Sequence, residues 1–150
     1  MPPGTGDIQL QLSQSSPLTG AVVVTTPQDI ALIDAKKGLR MFEKVNVPLI
    51  GIIENMSVFI CPCCGKVQHI FGEGGAKRMS ETYGVPLLGE LPLSADIREA
   101  ADSGNPTVAA DPESPAAKMY RSIAMKIAGA VTKLGKDYSA RMPTISVKND

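Results

Sequence analysis

Gly20-Ala21-Val22-Val23-Val24-Thr25, followed directly by Thr26-Pro27-Gln28-Asp29, is the stretch from which the fold can be read. Its first six residues are apolar and β-branched at successive positions, as in a strand of a parallel sheet buried on both faces. Thr26 then reads as a helix N-cap, Pro27 as the first helical residue and Asp29 as an acid in the first turn. The helix that follows should carry Leu32, Ala35, Leu39 and Phe42 on one face, with Lys36, Lys37, Arg40, Glu43 and Lys44 largely on the other. Val47 to Ile53 makes a second strand.

Further along, Gly72-Glu73-Gly74-Gly75 opens a helix that runs to about Tyr83 and stops at Gly84. Val85 to Gly89 is a third short strand, and Ala95 to Ala101 a short helix. Asp111-Pro112-Glu113-Ser114-Pro115 starts a longer helix with Met119, Tyr120, Ile123, Ile127, Val131 and Leu134 at helical spacing. Residues 135–150 have no clear period and read as an extension; there is no internal repeat. This β-α-β-α-β succession predicts an α/β domain, a parallel sheet with helices on both faces and ligands at the carboxyl ends of its strands. Three segments fall at such ends: Thr25 to Asp29, Glu54-Asn55-Met56-Ser57, and Gly89-Glu90-Leu91-Pro92-Leu93. Each also has a plain reading as turn chemistry.

The composition narrows the partners. At 150 residues and 43% hydrophobic, the chain can bury the core of one domain. Lys plus Arg number 15, as do Asp plus Glu, so no basic excess marks a nucleic-acid or anionic-lipid surface. The longest apolar runs, Ala21 to Val24 and Val47 to Ile53, are far short of the ~20 residues of a bilayer span, and no basic-apolar signal segment leads the chain. A cytoplasmic location without nucleic acid or membrane is therefore expected. All three cysteines lie in Cys61-Pro62-Cys63-Cys64, too close together for a disulfide framework, so metal or redox chemistry is expected of them. Two thiolates at Cys-x-x-Cys spacing can grip one metal centre but cannot close a tetrahedral site, so a second copy or a partner should supply the rest.

Six segments occur here in one order: Pro2-Pro3-Gly4-Thr5-Gly6-Asp7; Thr25 to Gly38; Glu54-Asn55-Met56-Ser57; Cys61-Pro62-x-Cys64-Gly65; Ile70-Phe71-Gly72-x-Gly74-Gly75-Ala76; and Leu91-Pro92-Leu93-x-x-x-Ile97-Arg98-Glu99-Ala100. Together they resemble the Mrp/ApbC family of iron–sulfur cluster carrier ATPases, in the deviant-Walker P-loop group, from Pro2 to about Leu134. The resemblance implies a homodimer joined through the cysteine loop, residues 56–71, holding a bridging 4Fe-4S cluster that passes to apo iron–sulfur proteins. Cys61 and Cys64 correspond to the family's ligands, and Cys63 to a variable position. Four thiolates from two chains are what such a cluster requires. Zinc would accept the same four, and Pro62 and Gly65 also suit a zinc knuckle. His69 could join the three cysteines in a single-chain site, although contiguous Cys63 and Cys64 rarely reach one metal; otherwise it is a surface or core histidine.

For the nucleotide, the resemblance matches Gly4, Thr5, Gly6 and Asp7 to a switch-like segment near the γ-phosphate and attacking water, with Asp7 the catalytic candidate. The same glycines, before the helix-like Ile8 to Gln14, resemble a phosphate-facing loop. Asn55 falls where the family offers an amide to the base, a group that can donate and accept along adenine's edge, or else it satisfies its own backbone. Pro92, with Leu91 and Leu93, would wall the base. Arg98 and Glu99 read as a solvated pair.

ATP and Mg²⁺ belong to the full-length family, whose Gly-Lys-Ser/Thr loop is missing here: Gly65-Lys66 precedes Val67, and Gly135-Lys136 precedes Asp137. The resemblance puts that loop, and the N-terminal part of the sheet, upstream of this sequence. Residues 1–134 then form a partial P-loop domain with open strand edges and negligible ATP hydrolysis alone. The competing reading is a nucleotide-dependent regulatory ATPase relative in which the cysteine loop is a zinc-clamped dimer contact.

Overall fold

The computed structural model describes residues 18–134, with Gln11 and Ser15 before them; the Gly4–Asp7 loop, most of the Ile8–Gln14 stretch and residues 135–150 lie outside the described residues. In chain order the elements are β1 (Ala21–Thr25), α1 (Asp29–Lys44), β2 (Leu49–Glu54), β3 (Phe59–Ile60), β4 (Val67–Gln68), α2 (Gly75–Tyr83), β5 (Leu87–Glu90), α3 (Ala95–Asp102), α4 (Thr107–Ala110) and α5 (Pro115–Lys133). Strands β1, β2 and β5 form a parallel sheet with β2 in the middle, while β3 and β4 form a separate antiparallel pair.

Helices cover both faces of the parallel sheet, as the alternation of elements predicts. On one face Val23 and Ile52 pack with Leu32, Ala35 and Leu39 of α1 and Ala76 and Met79 of α2. On the other, Ile50, Ile53, Leu88 and Leu91 pack against Ile123 of α5, with Tyr120, Ile127 and Val131 alongside. No helix among the described residues is long and apolar enough to cross a membrane.

Two bulges tune this second layer. The partners of Ala21 and Val22 are Leu49 and Gly51, so Ile50 is an extra residue in β2; those of Ile52 and Ile53 are Leu87 and Gly89, so Leu88 is extra in β5. The carbonyl of Leu88 accepts a hydrogen bond from Lys126 Nζ on α5 at 2.7 Å. Glycine lets the layers close: a Cβ on Gly51 would lie 2.4 Å from Leu88 Cγ, and one on Gly89 would lie 2.5 Å from Ile123 Cγ1.

Two local expectations need correction. Helix α1 starts at Asp29, with Gln28 as N-cap and no side-chain cap; its first bond is Leu32 N–H to Gln28 O, 3.0 Å. The Thr26 hydroxyl donates instead to Gln28 Oε1 at 2.7 Å. Pro27 precedes the helix, packed so tightly under the loop before α2 that a Cβ on Gly75 would sit 2.9 Å from its carbonyl oxygen. The signature does work at α5, where Ser114 Oγ accepts the Ala117 N–H at 3.1 Å with Pro115 following. Second, β1 is not buried on both faces: Val24 is 60% exposed, because α5 lies over β5 and β2 and leaves the end of β1 uncovered.

Gly89→Ala should lower stability by about 1–3 kcal/mol through overpacking against Ile123. Gly38→Ala, inside α1 with nothing within 4 Å of the new methyl, should raise it by roughly 0.5–1 kcal/mol. Urea midpoints of the two variants, moving in opposite directions, check the assignment of which glycine is a packing device.

Candidate functional site

The strand ends are laced together around Glu54. This residue closes β2 and is 1% exposed, and its Oε2 accepts the Ala76 N–H at 2.6 Å. Gly74, the N-cap of α2, sits at φ +66° and offers no side chain, so a residue from the neighbouring strand satisfies the start of that helix. The Glu54 carbonyl accepts Leu91 N–H at 2.8 Å, and Asn55 N–H donates to Thr25 O at 2.7 Å, which joins the ends of all three strands.

Beyond Glu54 the chain turns out of the sheet. Met56 has φ +55°, and the Asn55 Oδ1 accepts its N–H at 3.0 Å, so the amide oxygen is used on the local backbone. The Asn55 Nδ2 makes no hydrogen bond among the described residues, and its two donors are what the side chain can give a ligand. Ser57 then clamps the exit: its N–H and its Oγ both donate to Leu91 O, at 3.0 and 3.1 Å.

From that clamp rises a hairpin absent from the expected element order. Leu93 N–H donates to Val58 O at 2.8 Å and Phe59 bridges in parallel to Leu93, tying the foot of β3 to the segment after β5. Phe59 faces Gln68 and Ile60 faces Val67. Cys61 closes the ladder, donating to Lys66 O at 3.0 Å while its carbonyl accepts from Gly65 N–H at 2.8 Å, with Gly65 at φ +69°. The turn thus leaves Cys63 and Cys64 exposed and Cys61 half-buried.

The backbone N–H groups of Cys63 and then Cys64, with the Cys64 and Cys63 side chains adding to them, hold the Cys61 thiol below the ordinary range against the opposing effect of burial. Donors that favour a thiolate over a thiol also favour a metal-bound sulfur. His69 does not complete the ligand set: its Nδ1–H donates to Ser57 O at 3.2 Å and its Nε2 lies 4.0 Å from Glu73, so the ring locks the second limb of the hairpin to the first. Among the described residues no three His, Cys, Asp or Glu side chains are grouped to hold a metal ion, so the single-chain site is not formed.

A cavity of about 530 Å³ opens beside the turn, lined by Phe59, Ile60, Pro62, Pro92, Leu93 and Met119 among others. Pro92 therefore faces the hairpin side, while Asn55 does not line this cavity, although Glu54 and Leu91 are bonded neighbours. Leu91 is turned into the core against α5 and is not available as a wall. Arg98 pairs in solvent with Glu99 and Asp102, each at 2.9 Å. Sequence reasoning marked Ser57 only as part of a strand-end segment and missed its clamp, the structural role of His69 and the hairpin itself; the β-branched and aromatic residues flanking the cysteines, Val58-Phe59-Ile60 and Val67, were the available signal.

Comparisons with known proteins show the family and the fold. The ParA-type family described as NUBPL iron-transfer P-loop NTPase matches residues 1–128. The iron-sulfur cluster carrier protein of Escherichia coli K12 is 61% identical over 128 residues, 85% of this chain and 35% of that protein. The carrier of Pseudomonas fragi is 57% identical over 125 residues, 83% of this chain and 44% of its own. The mouse iron-sulfur cluster transfer protein NUBPL is 54% identical over 127 residues, 85% of this chain and 40% of its own. The chain thus spans less than half the length of each of these relatives. Among solved structures, a nucleotide-binding protein from Archaeoglobus fulgidus in complex with ADP superposes with a TM-score of 0.62 at 37% identity, over 70% of this chain and 43% of that one. The cell division ATPase MinD of Pyrococcus furiosus gives 0.55 at 28% identity, over 78% and 44%.

A variant keeping only Cys61, with Cys63→Ala and Cys64→Ala, retains both backbone donors. Its alkylation by iodoacetamide, followed by mass spectrometry across pH, should show a midpoint below that of the same cysteine in the urea-unfolded chain, because the thiolate is the reacting form. A midpoint at or above that value would remove the backbone donors as the cause.

Proposed function

The chain belongs to the NUBPL-type iron-transfer P-loop NTPase family, and we propose that it carries a 4Fe-4S cluster as cargo, sharing it with a second copy and delivering it to apo iron–sulfur proteins. The observation that carries this reading is the exposed cysteine turn, whose thiols do not group into a metal site of their own among the described residues. Cys61 and Cys64 supply two sulfurs, and the same pair from a second copy brings the count to the four that a cluster uses. Cys63 is the spare thiol of the turn.

The chemistry of delivery is thiol exchange. As each recipient cysteine forms a sulfur–iron bond, one carrier sulfur–iron bond breaks, and the recipient's thiol proton ends on the released Cys61 or Cys64. The cluster keeps its charge and its four sulfurs throughout, so no oxidant or reductant enters. Exposure of the turn gives the recipient access, and the N–H groups at Cys61 stabilise the sulfur left behind.

The nucleotide side of the function belongs to the longer proteins. There ATP with Mg²⁺ would meet Gly4, Thr5, Gly6 and Asp7 at the phosphates and water, with the Asn55 Nδ2 and Pro92 at the base. Without a Gly-Lys-Ser/Thr loop this chain alone should turn over ATP negligibly. Reduced thiols are a condition of the chemistry, in keeping with a cytoplasmic site of action.

Anaerobic incubation with iron and sulfide should give a brown protein with about two irons per chain, a 4Fe-4S cluster divided between two copies. The colour should vanish in Cys61→Ala and in Cys64→Ala and persist in Cys63→Ala. A colourless protein holding about half a zinc per chain would instead make the turn a structural clamp and sink the carrier reading.

A further inference from the structure

Four sulfurs around one cluster do not by themselves make a specific dimer. Such interfaces bury about 1,200–2,000 Å² in total, more than two short cysteine turns can supply, so a second contact has to flank the turn. The hairpin offers half of it. Ile60, Val67 and Ile70 are 52%, 54% and 53% exposed, an apolar surface on the hairpin of the kind that marks an interaction site. Between Met56 and Phe71 the one lysine or arginine is Lys66, which sits opposite Cys61 on the ladder and is exposed.

The cavity beside the turn offers the other half. Its wall is apolar at Phe59, Ile60, Leu93 and Met119, and it contains two acids, Asp96 and Asp111, but no lysine or arginine. The cations nearby are already occupied: Arg98 by Glu99 and Asp102, and Lys118 and Arg121 by Glu113. Neither Asp96 nor Asp111 joins an ion pair among the described residues. Because Pro62 of the turn itself lines the groove, a second hairpin brought to this turn arrives at the groove's mouth.

We infer that the groove bounded by Phe59, Ile60, Leu93 and Met119 receives the hairpin of a second copy of this chain, Val67 entering the apolar part and Lys66 meeting Asp96 and Asp111. The inference rests on the shared-cluster reading and adds the surface that holds the two copies together. With two-fold symmetry the contact is made twice, each hairpin in the other's groove.

That symmetry gives the test. Lys66→Glu sets an acid against acids in its own homodimer, and Asp96→Lys/Asp111→Lys sets lysine against lysines. In a mixture of the two variants, both contacts of the heterodimer are again between opposite charges. Sedimentation of the iron-and-sulfide-reconstituted proteins should show each variant alone dissociating at least about tenfold more readily than the parent, and the mixture recovering. Val67→Asp, at a position exposed in the monomer, should weaken the dimer with an unchanged far-ultraviolet spectrum, which separates docking from folding. Variants that dimerise like the parent, or defects that mixing does not relieve, overturn the inference. So does an unaffected dimer whose groove variants are slow only in transfer to an apo-protein, since the groove would then receive the recipient. A parent chain that binds iron yet stays monomeric also overturns it and leaves the cysteine turn as a metal site; a chain that takes up no iron fails the carrier reading first.

Discussion

The contact between Glu54 Oε2 and the Ala76 N–H, 2.6 Å long and out of reach of water, is the constraint on which the rest of this structure depends. An acidic side chain buried at the middle strand of a sheet is costly unless something polar meets it, and the unsatisfied N–H groups at the start of a helix are such a partner. Gly74 cannot cap that helix itself, so Glu54 and the start of α2 satisfy each other. This fixes where α2 begins, and the loop before it then bears down on Pro27 and delays the start of α1. It also fixes the end of β2, from which the chain must leave to build the hairpin.

The hairpin is held firmly at its foot and is free at its tip. Ser57 gives two hydrogen bonds to one carbonyl of the β5 end, Leu93 adds another from the same segment, and His69 ties the returning limb to Ser57. Above this the ladder is two residue pairs long, and the cysteines stand on a turn that few contacts restrain. A protein that must release its ligand gains from this division, since the scaffold sets the direction in which the thiols are offered while the tip keeps the adjustment that exchange requires. Pro92 lies between Leu91 and Leu93, the two residues that anchor the foot, so the strap that would meet a base in the longer relatives is continuous with the support of the cysteines.

Periodicity carried most of the fold. The three parallel strands, the helices on both faces and the long C-terminal helix are legible because each buries a continuous apolar face, and Gly84 stops α2 at φ +64° in the way its position implies. What stayed hidden depends on partners distant in sequence. Nothing in Thr26-Pro27 differs in kind from Ser114-Pro115, yet one caps a helix and the other does not, because Pro27 is captured by a loop nearly fifty residues away. Gly51 and Gly89 look like weak points in strands until Leu88 and Ile123 are seen against them. The β3–β4 pair is too short to give a period, and only the β-branched and aromatic residues on either side of the cysteines marked the place. The number and spacing of the cysteines were legible, because counts do not depend on tertiary context.

A half-site has a consequence that a complete cage lacks. If each copy contributes two sulfurs, holding the cluster and holding the dimer are one equilibrium, and anything that weakens the contact between copies also loosens the cargo. A single chain with four ligands would bind metal more securely and would have to break more bonds before a recipient could compete. The arrangement at Cys61 and Cys64 needs only part of that. On the carrier proposal, the backbone donors at Cys61 make release of its sulfur less costly, exposure of the turn admits the incoming thiol, and the bonds that must survive are those of the Ser57 clamp, which lies away from the exchange. On the shared-cluster proposal transience is built into the ligand count, while order is built into the strand ends around Glu54.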